Sequence, residues 1–125
     1  MKKAIATEGA PKAVGAYSQG VQAEGLIFVS GQIPLDPATG EMAEDIGDQA
    51  RQSMENIKAI LEAAGSEMNK IVKTTILLAD INDFAAVNAV YESYFRAPYP
   101  ARACYAVAGI PKGAKLEIEA IATKG

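Results

Sequence analysis

Two stretches, "LIFVS" (Leu26 to Ser30) and "IVKTTILLA" (Ile71 to Ala79), are apolar at both odd and even positions. That fact restricts the fold more than any other in the chain. A β-strand turns successive side chains to opposite faces of its sheet, so strands apolar at both parities need burial on both faces. The chain offers only two segments with helical spacing. In the first, Ile46, Ala50, Met54, Ile57, Ile60, Leu61 and Ala64 recur at helical intervals and Gly65 supplies a stop. In the second, Asn82 or Asp83 caps a face holding Phe84, Val87, Val90, Tyr91, Tyr94 and Phe95, and Pro98 and Pro100 end it. Two helices cover one side of a sheet. The expectation is that further copies of the same chain cover the other, making an obligate homo-oligomer.

The other strands follow from local signals. Ser18 to Ala23 and Leu26 to Ser30 flank Glu24-Gly25, a two-residue link of the kind that closes hairpins. Arg102 to Ala108 and Leu116 to Thr123 complete the set, separated by "GIPKGAK". The order is strand, strand, helix, strand, helix, strand, strand, which predicts an α+β sheet with both helices on one face. At 125 residues the chain, 1-125, is expected to form a single domain.

Composition narrows the chemistry. No run of eighteen apolar residues exists to span a membrane, and the N-terminal "MKKAIATEGA" breaks off too early for a secretory signal. Net charge is -3, and no cluster of Lys or Arg exceeds the initial pair. This balance disfavours nucleic acid as the main partner, because such binding draws on many cation to phosphate contacts. The one cysteine, Cys104, rules out an internal disulfide and fits a reducing, cytoplasmic setting. Histidine is absent, which removes the usual transition-metal sites and any Ser-His or Cys-His nucleophile pair.

Within those limits Arg102 stands out. It is one of three arginines, placed between a proline turn and a small apolar strand in "YPARACYAVAGIP". A guanidinium at the mouth of a buried strand is costly without an anion to hold. Its planar fork suits bidentate capture of a carboxylate, while a surface salt bridge to Glu117 or Glu119 is the plainer alternative. Cys104 shares the parity of Arg102 and reads as a buried small hydrophobe, since no base stands near it in sequence; its backbone N–H could help hold the anion. In "KLEIEAIATK", Leu116, Ile118, Ala120 and Ala122 alternate with Glu117, Glu119 and Ile121. The two carboxylates therefore share a face, roughly 7 Å apart. Either they form a solvated edge or one faces a pocket and moves protons. Tyr17 and Ser18 in "GAYSQG", and Ser30 and Gly31 in "VSGQIP", set hydroxyls beside glycines at strand ends, where they line a cavity or cap turns. Asn88, four residues after Phe84, falls on the inner side of the second helix and reads as a tether from helix to loop.

Taken together, "AYSQG", "VSGQIPLDPATGE", "QARQSMENIKAILEAAG", "IVKTTILLADINDFAAVN", "YPARAC" and "KLEIEAIA" closely resemble the Rid (RidA/YjgF) family of reactive intermediate deaminases, over Ile5 to Ala122. The resemblance implies a chorismate-mutase-like α+β fold, a homotrimer whose sheets form a central β-barrel, and active sites in the clefts between subunits. It also implies hydrolysis of 2-imino acids or their enamine tautomers to 2-keto acids and ammonia, the 2-iminobutanoate/2-iminopropanoate deaminase reaction, with no metal or organic cofactor. Carried over by motif, Arg102 is similar to the family's carboxylate-binding arginine, with the Cys104 backbone beside it. Glu117 matches the glutamate that positions and activates water, and Tyr17, Ser30, Gly31, Phe84 and Asn88 match pocket positions. The chain departs from the family pattern at Ala16, where proline is common, and at Ala106 and Gly109, where the family carries an acidic residue and a second arginine; these changes bear on surface charge and substrate preference. The competing reading is a non-catalytic carboxylate-binding regulator using the same pocket. A ribonuclease, also proposed within the family, fits poorly with the negative charge and the missing histidine.

Overall fold

The computed structural model describes residues 1–125. The strands are β1 (Lys3–Ile5), β2 (Gly20–Ala23), β3 (Leu26–Gln32), β4 (Ile71–Leu78), β5 (Ala101–Ala106) and β6 (Leu116–Thr123); the helices are α1 (Ile46–Ala63) and α2 (Phe84–Glu92). They form one six-stranded sheet in the order β1-β2-β3-β6-β4-β5. Every neighbouring pair is antiparallel except β4 and β5, which run parallel and are joined through α2.

Local chemistry sets the boundaries. Glu24 and Gly25 both adopt positive φ, 52° and 77°, as a two-residue hairpin turn between right-twisted strands requires. Asp45 caps α1, its carboxylate accepting the Asp48 N–H at 3.0 Å. At the other end Gly65 turns left-handed, Gly65 N–H bonds Glu62 O and Ser66 N–H reaches back to Leu61 O, closing a Schellman motif. α2 starts after Asp83, one of the two cap positions read from sequence, but without the side-chain cap. Neither Asn82 nor Asp83 caps it by side chain; Asp80 accepts the Asn82 N–H at 2.9 Å and opens a 3-10 turn, Ile81–Asp83, that runs into the helix. The strand at Lys3–Ile5 was not anticipated either. Its three residues are too few for a readable alternation, and it forms because Ile5 is buried on β2's free edge.

Both helices lie on one face, as the spacing predicted. Ile27, Val29, Ile76, Leu78, Leu116, Ile118, Ala120 and Ala122 point toward them and meet Met54, Ile57, Ile60, Leu61, Val87 and Tyr91 in one core. Buried polar groups on this side are paired. Ser53 Oγ donates to Gln32 O, Asn56 Nδ2 to Leu35 O, and Gln19 Nε2 to Ala10 O and Pro11 O. The other face carries Phe28, 42% exposed, and Tyr105, 51% exposed, together with Lys73, Ile121 and Glu119, and no element of this chain covers it. No helix is long and apolar enough to cross a membrane.

Candidate active site

The sequence-predicted site residues fall into two groups. The first lies where α2 passes β5. Phe84, Asn88 and Tyr91 are spaced four and three residues apart, so helical geometry stacks them on one face of α2. Arg102 reaches across that face. Its Nη1 donates to Asn88 Oδ1 at 2.7 Å, and its Cζ stands 5.0 Å from the Tyr91 ring centroid and 5.2 Å from that of Phe84. This is close enough for cation–π attraction to both rings. Asn88 is therefore a partner of the arginine rather than the tether from helix to loop that its position alone indicated. A cleft of about 390 Å³ opens here, lined by Asn88, Tyr91, Glu92, Tyr99, Pro100 and Arg102. Cys104 is half-buried on the same face. Burial pushes its thiol above the usual range and the Arg102 charge only partly opposes this, which fits a packing role over a nucleophilic one.

The second group lies where β3 meets β6. Val29 pairs with Ala120 and Gln32 with Ile118, so three steps along β3 match two along β6, and the surplus residue makes a bulge at Ser30 and Gly31. Glu117 folds over that bulge. A Cβ added to Gly31 would stand 1.9 Å from Glu117 Oε2 and 2.7 Å from its Cδ, so only glycine leaves room for the carboxylate. Ser30 Oγ donates to Ser18 O at 2.5 Å and Ser30 N–H to Gln19 O at 3.0 Å, which brings the loop carrying Tyr17 to the same end of the sheet. Tyr17 is 52% exposed. Burial, and secondarily the like charge of Glu119, hold the Glu117 carboxyl above the ordinary carboxylate range. Such a group changes protonation nearer neutrality than a solvated one, as acid/base work requires.

The two groups occupy opposite faces of the sheet. Arg102 is the register partner of Thr74 on β4, and Glu117 is the register partner of Leu77. Thr74 and Leu77 are three positions apart, an odd offset, so their side chains point to opposite sides. The salt bridge from Arg102 to Glu117 or Glu119 considered from sequence thus cannot form within one chain. Two members of the first group were missed as site residues, Tyr91 and Thr74, whose hydroxyls are 2.7 Å apart. The available signals were a tyrosine in helical phase with Phe84 and Asn88, and a threonine at the same parity as Ile76 and Leu78 on β4.

A family model described as endoribonuclease L-PSP matches residues 7–124. The chain is 57% identical over 127 residues to the 2-iminobutanoate/2-iminopropanoate deaminase of Salmonella typhimurium, with 99% of each chain covered. It is 50% identical over 126 residues to the protein of the same name from Rattus norvegicus, covering 100% of this chain and 92% of the rat protein. Among solved structures, the YjgF gene product of E. coli aligns with a TM-score of 0.95 at 54% identity, covering 98% of this chain and 99% of the other. E. coli TdcF with bound serine aligns with a TM-score of 0.95 at 51% identity and the same coverage.

Proposed function

Since this chain belongs to the endoribonuclease L-PSP (Rid/YjgF) family, we propose that it is a 2-iminobutanoate/2-iminopropanoate deaminase whose site is shared between two copies of the chain. One copy supplies Arg102 with Asn88, Phe84 and the Cys104 backbone. The other supplies Glu117 with Gly31, Ser30 and Tyr17. The copies assemble as a homotrimer, which covers the sheet face carrying Phe28 and Tyr105. The cytoplasm is the setting that a lone free thiol fits.

The chemistry follows from the charges. Arg102 takes the substrate carboxylate and so fixes the direction of the C=N carbon. Water held by the Glu117 carboxylate adds to that carbon, its proton passing toward the carboxylate and then to nitrogen, and the tetrahedral intermediate expels ammonia. Imino acid and water become keto acid and ammonia, with no redox change. An enamine enters the same path after protonation at carbon. Orientation and one acid/base group each contribute powers of ten to such a step.

The observation that carries the reading is the state of Arg102. It is exposed, stacked on two rings, and bonded to a neutral amide oxygen rather than to a carboxylate, so guanidinium N–H groups remain for an anionic ligand. The test is release of keto acid from 2-iminopropanoate generated in the cuvette. Arg102→Ala is expected to reduce the rate to the level of spontaneous hydrolysis, and undiminished turnover would sink the assignment.

A further inference from the structure

The guanidinium of Arg102 sits on an edge strand and is solvent-exposed, where a long, freely rotating side chain has little reason to keep one pose. Asn88 holds one of its N–H groups at 2.7 Å, and the rest of its pose comes from the rings it lies against. Tyr91 is 3% exposed, and its ring stands 5.0 Å from Arg102 Cζ and 4.9 Å, centroid to centroid, from that of Phe95. The Tyr91 hydroxyl is joined to Thr74 Oγ1 at 2.7 Å, and Thr74 is 1% exposed. Thr74 is also the register partner of Arg102 on the adjoining strand. The circuit therefore closes. The backbone pairing of β4 with β5 sets Thr74 beside Arg102, the hydroxyl bond fixes the ring to Thr74, and the ring carries the guanidinium. A Val and Phe pair would fill the same space without burying two hydroxyls. What the hydroxyls add is a fixed ring position.

We propose that Tyr91, tethered by Thr74, is a positioning residue for carboxylate capture: it holds the Arg102 guanidinium in the pose that receives substrate, and so sets KM more than kcat. This rests on the deaminase reading of the site given above. The ring stands 5.0 Å from the arginine that takes the carboxylate, so a loss of its support weakens substrate binding before it slows chemistry.

The experiment measures KM and kcat for 2-iminopropanoate hydrolysis in Tyr91→Leu, Tyr91→Phe and Thr74→Val, beside Arg102→Ala. Tyr91→Leu removes the π face, and KM is expected to rise about tenfold with kcat held within about twofold, the scale of a partly desolvated cation–π contact. Tyr91→Phe and Thr74→Val keep the ring and lose only the tether, for an intermediate rise of about threefold, the scale of one hydrogen bond. Thr74→Val is the informative variant, because the one side-chain hydrogen bond Thr74 makes is to the Tyr91 hydroxyl, so the change reaches the guanidinium through the ring. A KM unchanged in Thr74→Val and Tyr91→Phe, or a fall in kcat and melting temperature with KM fixed, overturns the proposal and leaves a purely structural pair. If Tyr91→Leu does not fold, the other two variants still decide the matter. The two readings fail separately. Full activity in Arg102→Ala removes the deaminase site itself, whereas an inactive Arg102→Ala beside a Tyr91→Leu with wild-type KM removes only the positioning role.

Discussion

Gly31→Ala offers the sharpest separation of catalysis from stability in this protein. The added methyl would lie 1.9 Å from Glu117 Oε2, 2.7 Å from Cδ and 3.0 Å from Cγ, with no backbone atom among its nearest neighbours. Ordinary carbon to oxygen contact begins near 3.4 Å, so the carboxylate must retreat by roughly 1.5 Å or change rotamer. Gly31 is not among the residues with positive φ, so alanine meets no backbone strain there. Because the obstructing group is the free end of a flexible side chain, the stability cost is expected to stay below about 1 kcal/mol. The catalytic cost is larger. A misplacement of about 1 Å in a catalytic group costs on the order of a hundredfold in rate, about 2.7 kcal/mol in the barrier. The assay is keto acid release from 2-iminopropanoate, with thermal melting of the same preparations. The expected result is kcat/KM down about a hundredfold at nearly unchanged melting temperature. A variant retaining full kcat/KM while a crystal structure shows Glu117 displaced would refute the assignment of that carboxylate to catalysis.

Two further outcomes follow from the electrostatics of Glu117. Its carboxyl is held above the ordinary range by burial first and by Glu119 second; in the mechanism proposed above the ionised form holds water, so activity is expected to fall as pH drops through this raised pKa. Glu119→Gln removes the like charge, and the acid limb of the kcat/KM profile is expected to move to lower pH; a limb that stays in place contradicts the coupling. A carboxyl with a folded-state pKa above its unfolded one adds stability when protonated, and this is lost as pH rises through the folded value. Glu117→Gln should therefore be inactive yet melt no lower than wild type at neutral pH, with its relative advantage shrinking toward pH 4. A marked drop in its melting temperature at neutral pH would make Glu117 a structural residue.

How much of this was legible depends on the range of the interaction. The hairpin at Glu24-Gly25, the Gly65 stop and the alternation of β6 are local, and each appears as spacing predicts. That both helices share one face followed from the order of the elements. The entry to α2 at Asp83 was legible, but its capping bond was not: Asp83 makes no side-chain cap bond, and Asp80 instead opens the 3-10 turn that leads into the helix. Arg102 and Glu117 were visible as residues, but their separation by the sheet was not. It depends on the register in which β5 and β6 each pair with β4, a long-range feature that strand patterns do not encode. Tyr91 and Thr74 were hidden for the opposite reason. Each follows its element's burial pattern, so the pair looks like ordinary core until the 2.7 Å contact joins them.

The central claim is that one site draws its arginine and its glutamate from different copies of the chain, and complementation tests it most directly. Arg102→Ala and Glu117→Gln chains, each inactive alone, are unfolded together in equal amounts and refolded as mixed oligomers. In a cyclic trimer with random mixing, about a quarter of the sites pair an intact Arg102 with an intact Glu117, so about a quarter of wild-type activity should return. A mixed assembly as inactive as its parents would contradict the account.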